Sequence, residues 1–135
     1  MAFNGVLLQI GSSEIVKFVK QDSYKISPAQ RQDLDSFVNA NGVLERNVLP
    51  HRRSKIEINT IPMDNTKMAE LWGIINANFI SESERKVPLT YYRQDTDDYA
   101  SGSFYIPDPQ FPINRIDRAN KKIYYDSMTL KFIEY

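Results

Sequence analysis

The residues of this chain with the right chemistry for catalysis are few and scattered. A hydrolytic triad needs a base beside its nucleophile, yet the single histidine, His51, sits between Pro50 and Arg52-Arg53, and no G-x-S-x-G turn presents a serine to it. That spacing predicts a surface or interface histidine. Asp33 and Asp35 form one carboxylate pair, and Asp95, Asp97 and Asp98 form a cluster, either of which suggests calcium because hard cations gather several oxygens. The first pair lacks the glycine and terminal glutamate of a calcium loop, and Ala100 stands where the second needs its sharp-turn glycine. Both read as solvated turns. Gly5, Gly11, Gly42, Gly73 and Gly102 stand singly, so no glycine-rich loop is available to cradle a phosphate. The densest basic run, Pro50-His51-Arg52-Arg53-Ser54-Lys55, has the right charge to meet phosphates, but 17 basic and 17 acidic residues cancel and leave no overall field to hold a polyanion. With no cysteine, disulfides and thiolate zinc sites are excluded. A chain without enzymatic activity, metal or cofactor is the expectation.

A length of 135 residues predicts one domain, able to bury roughly two-thirds of the surface its unfolded chain exposes. The 41% hydrophobic and 25% charged residues match ordinary soluble folds, and no stretch nears the roughly 20 apolar residues that cross a bilayer. Met1 to Gly5 carries no basic leader and Val6 to Ile10 is too short for a signal core, so synthesis and folding in a cytoplasm are expected.

The elements that must position these residues are mainly strands. Residues 5–10, Ile15 to Lys20 and Ser23 to Ser27 read as three short ones, punctuated by Gly11-Ser12-Ser13 and Pro28. Ser27-Pro28-Ala29-Gln30 has the form of a helix start, and Leu34, Phe37 and Val38 continue at helical spacing toward a stop at Asn41-Gly42. The competing reading is a long hairpin turning at Asn41-Gly42, and both stay open. Strict alternation over Lys55 to Ile61 predicts a strand with Ile56 and Ile58 buried. Met68, Leu71, Trp72, Ile75 and Phe79 predict one amphipathic helix over about 65–80, capped by Asp64-Asn65-Thr66, with Trp72 as a plug between helix and sheet. Gly73 within it hints at close approach of another backbone. Residues 87–93 and 101–106 flank a polar tip to make a hairpin, Pro107 to Pro112 form a connector, and Ile113 to Ile116 pairs with a long strand from Ile123 to Tyr135. The expected fold is α+β: an antiparallel β-sandwich or split β-barrel with one packed helix and an arm or hairpin over about 28–50.

Particular segments carry a family likeness: Gln30-Arg31-Gln32-Asp33-Leu34-Asp35, Ala40 to His51, Lys55-Ile56-Glu57-Ile58-Asn59-Thr60, Glu84-Arg85-Lys86-Val87, Thr90-Tyr91-Tyr92, Phe104-Tyr105-Ile106-Pro107-Asp108 and Phe132-Ile133-Glu134-Tyr135. Together they resemble a small family of phage and prophage proteins of Gram-positive hosts encoded among tail genes. The resemblance spans nearly the whole chain and implies a virion tail protein related to the tail-tube and distal-tail (baseplate hub) proteins, which share a β-barrel with one flanking helix and stack as hexameric rings. It implies a single tail-tube-like domain over 1–135, partners that are other copies and other tail proteins, and assembly in the host cytoplasm into the virion tail. It implies no membrane and no sequence-specific nucleic-acid contact, although DNA passes through such rings. Distal-tail proteins carry a further carboxy-terminal domain that this sequence does not match.

The 28–49 segment sets Leu34, Phe37, Val38, Val43 and Leu44 beside Arg31, Asp33, Asp35, Glu45 and Arg46, which suits an arm packed on a neighbour with charges at its rim. With His51 and Arg52 these are the candidate interface residues. An arm folded back over its own barrel is the alternative, and a monomeric tail adaptor or connector that orders on a partner is the alternative function.

Overall fold

The structure is a computed structural model and describes residues 3–30, 37–38, 40–45 and 53–135. Among the described residues twelve strands and one α-helix follow one another: β1 (Leu8–Ile10), β2 (Ser13–Glu14), β3 (Lys25–Gln30), β4 (Phe37–Val38), β5 (Leu44–Glu45), β6 (Arg53–Asn59), β7 (Met63–Asp64), α1 (Asn65–Ala77), β8 (Lys86–Arg93), β9 (Asp98–Tyr105), β10 (Ile113–Asp117), β11 (Lys122–Tyr125) and β12 (Thr129–Glu134). Seven strands form an antiparallel sheet in the order β2-β1-β8-β9-β12-β6-β3, three form β10-β11-β7, and β4 pairs with β5. The chain is thus an α+β fold dominated by antiparallel sheet, as the alternation of apolar residues predicts.

The large sheet is strongly curled. Ser54 on β6 and Tyr91 on β8 have β9 and β12 between them, so a flat sheet would hold their strands about 14 Å apart. Their hydroxyls nevertheless meet at 2.8 Å. The concave face encloses a core that includes Leu8, Ile56, Ile58, Leu89, Phe104, Leu130 and Phe132, with Met68, Leu71 and Ile75 of α1 buried in the same cluster. Alternation explains the sheet residues: on β12 Leu130 and Phe132 are buried while Thr129 and Lys131 are exposed.

Helix α1 starts where Asp64 accepts the Lys67 N–H at 3.0 Å, a cap that holds the Asp64 carboxyl below its usual range. It stops at Asn78, three residues short of expectation, because the Asn78 side chain donates back to the Ile74 carbonyl at 2.8 Å and its backbone leaves the helical region. Asn78 in turn fills the space beside Gly11, whose φ of +60° and missing side chain let the β1–β2 turn approach the helix end. Gly73 is different: it is exposed, with nothing within 4 Å of where a methyl would stand, so the expected close backbone approach is not there. Gly73→Ala should therefore stabilise the protein by about 0.5–1 kcal/mol, read from the midpoint of urea unfolding; an unchanged or lower midpoint would contradict an open helix face at this position.

Three other expectations change, and one open choice is decided. Ile15 to Lys20 is not a strand but a 3-10 turn over Val16–Phe18, because Ile15, Phe18 and Val19 are the buried residues and their spacing suits a turn rather than alternation. Ser27-Pro28-Ala29-Gln30 does not start a helix but lies in β3, at the edge of the large sheet where a proline costs no ladder bond. Ala29 there takes a φ of 45° at a register shift, and its N–H is given to Ser54 Oγ at 2.8 Å. The backbone pairing of Phe37 with Glu45 and of Val38 with Leu44, around Gly42 at φ 79°, selects the hairpin over the helix. Finally, Ile123 to Tyr135 is two strands in two different sheets, hinged where Thr60 N–H donates to the Met128 carbonyl and Met128 N–H donates to Thr60 Oγ1.

Candidate functional site

Asp33, Asp35, His51 and Arg52 lie outside the described residues, as do Arg31, Leu34 and Arg46. Phe37, Val38 and Leu44 lie on the paired strands β4 and β5, and Val43 between them is 57% exposed. The Asp95–Asp98 tip is engaged locally. Asp95 accepts from Arg93 Nε at 3.1 Å and Nη2 at 2.7 Å, Asp97 accepts from the Tyr92 hydroxyl, and Asp98 accepts the Tyr99 N–H at 2.8 Å. That geometry is a hydrogen-bonded turn, and among the described residues no three acidic or histidine side chains come together as a metal would require.

A buried polar cluster was not legible beforehand. Ser54 Oγ accepts from Ala29 N–H and shares a hydrogen with the Tyr91 hydroxyl, and the Ser54 N–H donates to Glu134 Oε1 at 2.8 Å. Gly102 has no side chain to collide with the Glu134 carboxylate that lies over it. Burial raises the Tyr91 hydroxyl above its usual range, so it stays protonated, and no imidazole or neutral amine stands among the described partners of Ser54 Oγ to take its proton. The cluster seals the bulge in β3.

The exposed apolar residues concentrate elsewhere, on the 107–112 connector and the small sheet. Phe111, Ile113 and Ile116 are 42%, 53% and 62% exposed. Ile113 and Ile116 are three apart, which in a regular strand would put them on opposite faces. A register shift between Ile113 and Arg115 reverses that: Ile113 pairs with Tyr125 and Ile116 with Ile123, and Tyr125 and Ile123 share a face. Phe111 continues the same surface, stacking on Tyr125 at 6.4 Å and on Trp72 at 5.4 Å. Trp72 is therefore a half-buried rim residue under Phe111 rather than a plug within the core, and its Nε1 is, among the described residues, the one buried side-chain nitrogen or oxygen without a hydrogen-bond partner. Beside this surface runs a groove of about 510 Å³ between Ile106 to Pro112 and Ser127 to Lys131. Sequence reading placed the prolines in a connector but missed this face, because the bulge that creates it is invisible to periodicity.

No curated protein and no solved structure matches the chain. One family matches it over residues 1–135, and the chain belongs to that family, described as a family of unknown function (DUF6711).

Proposed function

We propose that this protein is a non-enzymatic structural subunit that assembles with copies of itself, as a ring-forming component of a bacteriophage or prophage tail. The assembly half of the reading is carried by the continuous apolar surface of Phe111, Ile113 and Ile116, set on one face by a bulge and rimmed by Asn114, Arg115 and Asp117. The local engagement of the Asp95–Asp98 tip supports a role in contact rather than catalysis. The tail half rests on the resemblance of segments such as Phe104-Tyr105-Ile106-Pro107-Asp108 to tail-region proteins.

Light scattering after gel filtration at high protein concentration, followed by class-averaged micrographs, tests the reading. A discrete particle several times the 15.7 kDa chain, with a six-fold ring as the specific expectation, supports it. A strictly monomeric particle overturns it.

A further inference from the structure

The three sheets differ in how their edges are finished. In the large sheet β3 carries Pro28 and the displaced Ala29, and β2 is only two residues long, so neither edge offers a continuous row of donors and acceptors. β10 is five residues long, lies at the edge of the small sheet and contains no proline. Its backbone parity follows from its neighbours. Ile123 N–H is turned toward Asn65 Oδ1, away from β10, and Asp126 N–H donates to the Pro112 carbonyl. Counted from either bond, the Ile116–Ile123 pair exchanges no hydrogen bonds, so the Ile116 N–H and C=O face outward from the open edge.

We infer that β10 pairs antiparallel with β10 of a second copy about a two-fold axis at Ile116. In that register the Ile116 residues of the two copies exchange both backbone bonds, as the outward parity requires. Each Arg115 lies directly opposite the partner's Asp117, giving two opposite-charge pairs. Shifting the axis to Arg115 would instead oppose two arginines, so charge selects one register. Arg115 is already held, its guanidinium 4.1 Å above the Tyr124 ring, and Asp117 is oriented by Asn120, whose N–H and Nδ2 donate to it at 3.2 and 2.9 Å. On the other face, Ile116 and Ile123 of both copies make one strip of four isoleucines. The strand's own residues supply apolar match, charge match and backbone parity for the same axis, which is why the occupant is a copy and not a different protein.

This contact rests on the self-assembly reading and refines it. A two-fold contact joins copies in pairs, so it accompanies the head-to-tail contact of a ring, linking two rings back to back, rather than replacing it.

The chain contains no cysteine, so a single introduced thiol reports the axis directly. Opposed residues of a hydrogen-bonded antiparallel pair have Cα atoms about 5.5 Å apart, within the range a disulfide spans. Ile116→Cys should convert to a disulfide-linked dimer on non-reducing gels under mild copper–phenanthroline oxidation. Ile113→Cys, also exposed on the same strand but opposite the partner's Ala119, should stay at least ten-fold less cross-linked. Ile116→Lys, with unchanged circular dichroism, should lose the two-fold association in light scattering. No cross-link at 116, or equal cross-linking at 113, overturns the contact. If the unmodified chain assembles while Ile116→Cys does not cross-link, the contact alone fails. A chain that cross-links at 116 and never exceeds two copies upholds the contact and overturns the ring.

Discussion

Replacing Phe132 by alanine is expected to lower the free energy of unfolding by about 3–5 kcal/mol. Phe132 is fully buried at the centre of β12, directly opposite Ile56 of β6, and its ring lies in the cluster that also holds Phe104, Leu130 and Ile58. Removing it strips contacts from several strands at once, and a curled sheet closed by hydroxyls on opposite flanks cannot collapse into the space without breaking them. Urea unfolding followed by tryptophan fluorescence measures the change, since Trp72 is the single tryptophan. A loss under about 1 kcal/mol would mean that β12 is not the keel of the core. Phe111→Ala is the contrast: a ring of similar size on the exposed face should cost far less.

The second expected result concerns Ser54. Ser54→Ala removes the hydroxyl that takes the Ala29 N–H and meets Tyr91, and the Tyr91 hydroxyl it leaves behind lies where water has little access. A buried donor left unmade costs about 1–3 kcal/mol, so the variant should fall by about that much or somewhat more. Tyr91→Phe takes away only one bond, and Ser54 keeps the Ala29 N–H, so its cost in hydrogen bonding should be smaller. Hydrogen exchange gives a second readout: the Ala29 amide should exchange faster in Ser54→Ala than in Tyr91→Phe. Equal exchange in the two variants would show that Ser54 does not anchor the bulge of β3.

Both predictions depend on how the sheet curls, and this separates what the residues alone imply from what folding adds. Alternation over Lys55 to Ile61 and over Leu130 to Tyr135 is a local property, so β6, β12 and their buried positions could be read directly. The Asp64 cap and the Met68, Leu71 and Ile75 stripe are local in the same way, and α1 follows from them. Where local signals compete, long-range pairing decided. Ser27-Pro28 is as good a helix start as a strand edge until β6 offers its ladder and Ser54 its hydroxyl to Ala29.

By itself, the sequence determined the class of fold, the helix α1 and the hairpin of β8 with β9, because each depends on neighbours a few residues apart. Only the tertiary structure decided that Ser54 meets Tyr91, that Trp72 lies under Phe111, and that Ile113 and Ile116 share a face. Those facts turn on one inserted residue in β10, on the connector laid over α1, and on the closure of a seven-stranded sheet, which brings together Ser54 and Tyr91, 37 positions apart. Pairing energy gathered over that distance leaves no trace in the local pattern, and it is what places the candidate assembly surface where it is.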